Sequence, residues 1–188
     1  NKNYELVDYL FQENAKCDDA LYLSVCKDDI DLVNIVLKYQ NDLDLINKVW
    51  ENGTALIKAV HNNNLQIVKR LLSIPGINPN IYYKNKTIIY PLTIAINNEN
   101  IDIINAILDF YGDNIQYQNL QLEKAMNIIF NIYTNIKEND NFLTVIHRFL
   151  EIKCINPNKL YVSHKKIIKH KNNKLMKKKK NDDNEEEE

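Results

Sequence analysis

The sequence predicts an all-α repeat solenoid, in which helix-turn-helix units stack side by side and short hairpin fingers join them. Two observations on spacing predict it. Ala55-Leu56-Ile57-Lys58-Ala59 returns as Pro91-Leu92-Thr93-Ile94-Ala95 at an offset of 36, and an offset of 35 carries the pattern backwards, from Leu56 to Leu21 and from Ala59 to Ser24. Within a unit the apolar residues fall on one helical face, as Leu65, Val68, Leu71 and Leu72 do. A third marker is independent of the helices: Ile-Asn-Pro-Asn closes both the segment ending at Asn80 and the one ending at Asn158. Self-similarity at this period is the mark of units that bury their apolar faces only by stacking.

The elements follow in order. Tyr4, Leu6-Val7, Leu10 and Phe11 match Ile30, Leu32-Val33, Val36 and Leu37 at an offset of 26, so residues 1–17 read as the second half of a repeat. The chain is then expected to begin inside a repeat and to expose one face of the stack there. Its first residue is Asn, not Met, as in a piece of a longer chain. Full repeats follow at about 18–50, 51–85 and 86–118. Each holds a short helix with small residues on one face, then a longer helix rich in Leu, Ile and Val. Thr54 can cap the short helix of the second repeat, and Pro91 suits the first turn of the next. Asn78-Pro79-Asn80 is turn chemistry.

Residues 119–160 read as an irregular repeat. Leu122, Ala125 and Met126 fit a short helix, and Leu143, Ile146, Phe149 and Leu150 fit a long one, with about 12 extra residues between. Ile128, Ile129, Ile132, Tyr133 and Ile136 extend the first helix before a polar loop at Lys137–Asn141. The repeat domain is therefore expected over 1–160, and a disordered tail over 161–188.

The run from Asn52 through Gly53-Thr54-Ala55-Leu56-Ile57-Lys58-Ala59 to Leu65-Gln66-Ile67-Val68-Lys69-Arg70-Leu71-Leu72 resembles the ankyrin repeat. That family carries a Gly-x-Thr-Pro-Leu-His-x-Ala segment, then a Leu-x-x-Val-x-x-Leu-Leu helix and a turn ending in Asn. The resemblance is strongest over 20–110. Two departures are clear. The family's His is Ile57 here and Thr93 in the next repeat, and its helix-linking Gly is Asn63 or Glu99. Losing the local hydrogen bonds of that His implies a less stable array. Only three glycines occur in 188 residues while Asn is abundant, and Asn is the next best residue for a left-handed backbone position.

The chemistry of the remaining residues argues against an enzyme. Three cysteines (Cys17, Cys26, Cys154) include no CxxC, which suggests a reducing compartment and small apolar packing roles, with Cys26 beside Lys27 a candidate for exposure. The four histidines have no neighbours at metal-ligand spacing, so no metal or cofactor is expected. No Gly-x-Ser-x-Gly elbow or glycine-rich phosphate loop is present. Asp18-Asp19 and Asp28-Asp29 read as helix-start charges. No apolar run is long enough to span a membrane.

Charge is sorted along the chain. Residues 1–158 carry 14 Lys/Arg and 19 Asp/Glu, residues 159–180 carry 10 Lys and no acid, and residues 181–188 carry 6 acids and no base. The lysine block supports an alternative function, as a nuclear targeting signal or a contact for nucleic acid or an anionic surface. Nucleic acid is expected at most at that tail.

The resemblance implies a non-catalytic scaffold that binds a protein partner through its finger tips and its concave short-helix face. Mapped by position, Trp50 and Glu51 lie on the first finger, and Tyr82, Tyr83, Lys84 and Asn85 on the next. Tyr117 lies on the third, and Cys26, His61 and Asn97 share the exposed site of the short helices. Trp and Tyr suit interface hot spots; the alternative is that Trp50 and Tyr82 fold down and staple neighbouring fingers. The expected partner is a protein, the expected state a monomer or part of a longer array, and the expected location the cytoplasm, with the nucleus as the reading the tail would add.

Overall fold

The computed structural model describes residues 3–84 and 88–113, together with Ala125, Thr144, Val145 and Arg148. The chain divides into two units, Asn1–Ala125 and Met126–Glu188. In the second, Thr144, Val145 and Arg148 are helical and Val145 is buried. The expected lengthened helix at 128–136, the loop at 137–141, the second Ile-Asn-Pro-Asn and the charged tail lie outside the described residues.

The first unit opens with α1 (Tyr4–Gln12), the second helix of a half repeat. The first full repeat holds α2 (Ala20–Cys26) and α3 (Ile30–Tyr39), followed by a short helix, α4 (Leu43–Ile46). The next holds α5 (Ala55–His61) and α6 (Leu65–Leu72). A hairpin of β1 (Tyr83–Lys84) and β2 (Ile88–Ile89) precedes α7 (Pro91–Asn97) and α8 (Ile101–Asp113). The strands are antiparallel, with Tyr83 opposite Ile89 and Lys84 opposite Ile88. First helices pack on first helices, α2 on α5 and α5 on α7. Second helices pack likewise, α1 on α3, α3 on α6 and α6 on α8.

Local chemistry sets each helix start. Every second helix begins with an Asx cap. Asn3, Asp29, Asn64 and Asn100 accept from the amides of Leu6, Leu32, Ile67 and Ile103 at 3.0–3.2 Å. The Thr54 hydroxyl accepts from Ile57 N at 3.2 Å, and Pro91 is the first residue of α7, both as the sequence predicts. Helices this short are marginal alone, and tertiary burial supplies the rest. Leu56, Ala59, Val60, Ile67, Val68, Leu71, Leu92, Ala95, Ile96, Ile103 and Ile107 are all buried. Each large one contributes about 1.5–3 kcal/mol over leaving it exposed. Ala59 and Ala95 are fully buried between first helices, where a small residue lets backbones approach.

Asp28, Asn63 and Glu99 occupy the turn between first and second helices at φ of +55°, +58° and +55°, the left-handed region where the family uses Gly. The Asp and Asn side chains do more than tolerate it. Asn62 and Asn64 donate to Asp28 Oδ1 at 3.5 and 3.0 Å, and Asn62 also reaches Val25 O at 3.0 Å. One repeat further on, Asn98 and Asn100 donate to Asn63 Oδ1 at 3.2 and 3.4 Å. At the start of the stack, the Tyr4 hydroxyl donates to the Asp29 carboxylate at 2.9 Å. A ladder of amides and carboxylates thus ties turn to turn, which a glycine turn lacks the side chains to do.

The family's His position has three different occupants. Thr93 Oγ1 accepts from Tyr90 N at 3.1 Å and donates to Tyr90 O at 2.8 Å, so a hydroxyl restores local bonds that the sequence suggested were lost. Ile57 instead packs on Gly53, where an added Cβ would lie 2.6 Å from Ile57 Cγ2. Gly53 is buried with φ of +108°, so no other residue fits it without strain. Tyr22, the third occupant, faces the first finger.

The two described fingers differ in form. The one before α7 is the expected hairpin. The one before α5 is built from α4, which the sequence reading did not anticipate, and a tight turn in which Trp50 and Gly53 exchange backbone hydrogen bonds at 3.0 and 3.1 Å. Asn47 anchors its base, donating to Gly76 O at 3.1 Å and accepting from Asn78 N at 2.9 Å. Asn78 in turn accepts from Asn80 N at 2.9 Å, the side-chain turn that Asn-Pro-Asn predicts.

Candidate interaction surface

The finger tips and the outer row of the first helices carry the residues singled out from the sequence. Trp50 is half-buried. Its ring stacks on Tyr22 of α2 with centroids 5.8 Å apart and planes 28° from parallel. The Lys48 ammonium sits 4.4 Å from the Trp50 ring centroid, a cation–π contact. Burial pushes the Tyr22 phenol above its ordinary value. Glu51 is exposed within the turn. Trp50 therefore staples the finger to the neighbouring first helix, with part of its ring left at the surface.

Tyr82 is 48% exposed and meets Tyr90 edge-on, with centroids 5.6 Å apart and an interplanar angle of 65°. Tyr83 is half-buried, while Lys84 is exposed opposite Ile88, itself 42% exposed. His61 and Asn97 are exposed at the last positions of α5 and α7, and Cys26 is exposed at the last position of α2. Repeat stacking thus places the three in one row, as their offsets of 35 and 36 require. Asn85 and Tyr117 lie outside the described residues.

Some surface residues escaped the sequence reading. Leu23 is 47% exposed on α2, and by the same offsets Lys58 and Ile94 are its equivalents on α5 and α7, both half-buried. Val49 is 47% exposed beside Trp50. Leu23 was legible as the apolar member of a row whose next member is Lys58. Lys48 recurs as Lys84 at the offset of 36, whereas Val49 meets Asn85 there and carries no repeat signal.

The remaining chemistry is sparse. An open cavity of about 420 Å³ lies by the ends of α1 and α3, lined by Phe11, Lys16, Cys17, Tyr39, Gln40 and Asp42 among others. Phe11 and Tyr39 stack there at 5.6 Å. Cys17 is exposed, contrary to the expectation that the cysteines pack as small apolar residues, and Cys26 is exposed as its place beside Lys27 suggested. Burial and the bond from Cys17 Sγ to Asp19 Oδ1, at 3.2 Å, hold the Cys17 thiol above its ordinary value, so it is a poor nucleophile. Among the described residues no group of three or more His, Cys, Asp or Glu is placed to hold a metal ion. No described helix is long and apolar enough to cross a membrane.

A family model, ankyrin repeats (3 copies), matches residues 1–83 and, in an overlapping register, 21–121. The chain belongs to the ankyrin-repeat family. No curated protein and no solved structure matches it. Ankyrin repeats are in general protein–protein interaction modules, and typically non-catalytic scaffolds. The departures here, in the turn ladder and at the His position, change how the ankyrin stack is held and leave its architecture intact.

Proposed function

We propose that this ankyrin-repeat chain is a non-catalytic scaffold that holds a protein partner across its first two fingers and the outer row of its first helices. One observation carries the reading. Away from α1, the exposed large hydrophobics among the described residues are Leu23, Leu43, Val49, Tyr82 and Ile88. Each lies on a first helix or in a connection between repeats. The second helices α3, α6 and α8 supply none. Apolar side chains kept at the surface and concentrated on one set of elements suit an interface. Trp50 and Tyr82 add rings that bury much area at low entropic cost.

The test is a double variant, Trp50→Ala with Tyr82→Ala, assayed against a purified protein ligand of the chain. Hot-spot truncations commonly weaken binding by 2 kcal/mol or more, about thirtyfold. Unchanged affinity, with an unchanged helical circular dichroism spectrum, would place the interface elsewhere.

A further inference from the structure

The same surface has a charge that narrows the partner, and this inference rests on the reading above. We propose that the fingers and first helices recognise an acidic protein segment that carries apolar anchor side chains.

Charge across the described repeats is sorted by edge. The turns between first and second helices, with the second-helix starts, carry Asp28, Asp29, Asp31, Glu99 and Asp102 against Lys27. The finger tips and the outer row of first helices carry Lys48, Lys58 and Lys84, with His61, against Glu51. Acids also occur on this side away from the tips: Asp42 and Asp44 belong to α4 at the finger's base, where Asp42 caps the helix by accepting from Asp44 N at 2.9 Å, and Asp18 and Asp19 lie at the start of α2. The remaining described surface is richer in acids than in bases, so the cationic tips stand out from it.

Both fingers repeat one arrangement. Lys48 lies over Trp50 beside exposed Val49. Lys84 pairs in register with exposed Ile88, and exposed Tyr82 lies immediately before β1. Between the fingers the first helices present Leu23, Lys58 and Ile94 at equivalent positions, apolar, cationic and apolar across the stack. A segment laid along that row meets apolar contacts flanking an ammonium, with further ammonium groups at both tips. Carboxylates spaced among Leu, Ile, Phe or Val side chains complement it, and the acidic turn edge repels the same segment from the opposite rim. Nucleic acid is the poorer fit. The cations are few and aliphatic side chains are interleaved with them, whereas phosphate tracking needs a continuous basic groove.

Selection of a displayed library of random peptides on the full chain tests this. Trp50 is the only tryptophan, so its emission reports occupancy of the first finger. Enriched peptides that shift Trp50 emission are expected to be net acidic with aliphatic or aromatic anchors. Replacing their Asp and Glu by Asn and Gln, or making Lys58→Glu with Lys84→Glu, should weaken binding on the order of tenfold, and added salt should weaken it further. The Lys58→Gln, Lys84→Gln pair should lie between, and circular dichroism checks the fold of both.

Neutral or basic enriched peptides, or displacement of the peptide by a single-stranded oligonucleotide, overturn the proposal. Peptides that lose binding to the Trp50→Ala, Tyr82→Ala variant but not to the lysine variants overturn the charge inference and leave the interface reading standing. Peptides indifferent to both sets, or no enrichment, count against both.

Discussion

Helices α1 and α6 hold the same place in different repeats and differ in what covers them. In α6, Ile67, Val68 and Leu71 are fully buried. In α1, with a comparable set of apolar residues, nothing is buried, and Leu6, Tyr9 and Leu10 are 46–56% exposed. Leu10 aligns with Val36, Leu71 and Ile107, each at most 1% exposed. The helix sequence therefore does not decide burial. Among the described repeats a second helix is core where a first helix of its own repeat packs on it, as α5 does on α6 and α7 on α8, in keeping with a quasi-one-dimensional stack.

The largest effect that could break this comparison is a cavity. Leu71→Ala should cost about 2–5 kcal/mol, as truncation of a closed core site does. Leu10→Ala should cost less than about 1 kcal/mol, because its side chain is half in water already. Urea denaturation of both variants measures the difference. Equal losses would mean that the face of α1 is covered in solution.

The same contrast explains what was legible. Offsets of 35 and 36 located the paired helices, and one of 26 the half repeat, because stacking forces apolar residues to recur; Thr54 and Pro91 were legible from capping chemistry. The ladder through Asp28, Asn62, Asn63 and Asn98 was not legible. Periodicity reports burial, and these side chains are polar, mostly exposed and bonded across repeats about 35 residues apart. The form of the first finger was not legible either, since resemblance to the ankyrin repeat implies a hairpin there. Its helix α4 depends on a cap at Asp42 and on Asn47 reaching Gly76 and Asn78, contacts that no single window contains. Within the candidate surface, Trp50 and Tyr82 stood out by residue type, whereas Val49 acquires meaning only from the Trp50 ring beside it.

A second, smaller contrast lies between two tyrosines on second helices. Tyr9 of α1 is 56% exposed, while Tyr111 of α8 is fully buried and donates to Asn80 Oδ1 at 3.0 Å. Burial holds the Tyr111 phenol well above its ordinary value of 10.0. The folded state therefore favours the protonated phenol, and the unfolded state ionises first. That stability is fully present below the unfolded value and is lost as pH rises through it toward the raised folded value. The urea midpoint should fall more steeply above about pH 10 in the wild type than in Tyr111→Phe. At neutral pH Tyr111→Phe should cost about 1 kcal/mol, the net value of one hydrogen bond. Tyr9→Phe should leave the neutral-pH stability unchanged, because its side chain is more than half exposed. An equally steep alkaline loss in Tyr111→Phe would place its origin in other groups.

The smallest effect sharpens the comparison of turns, since Asn63 and Glu99 hold one backbone conformation with different side-chain duties. Asn63 Oδ1 is the acceptor for Asn98 and Asn100, whereas Glu99 is exposed. The left-handed region costs an ordinary residue about 1 kcal/mol that Gly avoids. Glu99→Gly should therefore stabilise the stack by about 0.5–1 kcal/mol, less the extra freedom Gly gives the unfolded chain. Asn63→Gly gains less, because Asn already tolerates this region, and it loses both cross-repeat bonds. It should be neutral or destabilising by about 0.5 kcal/mol. Opposite signs in thermal or urea midpoints would show that the Asn ladder contributes beyond its backbone conformation. Equal stabilisation by both would reduce the ladder to a set of residues that merely tolerate the turn.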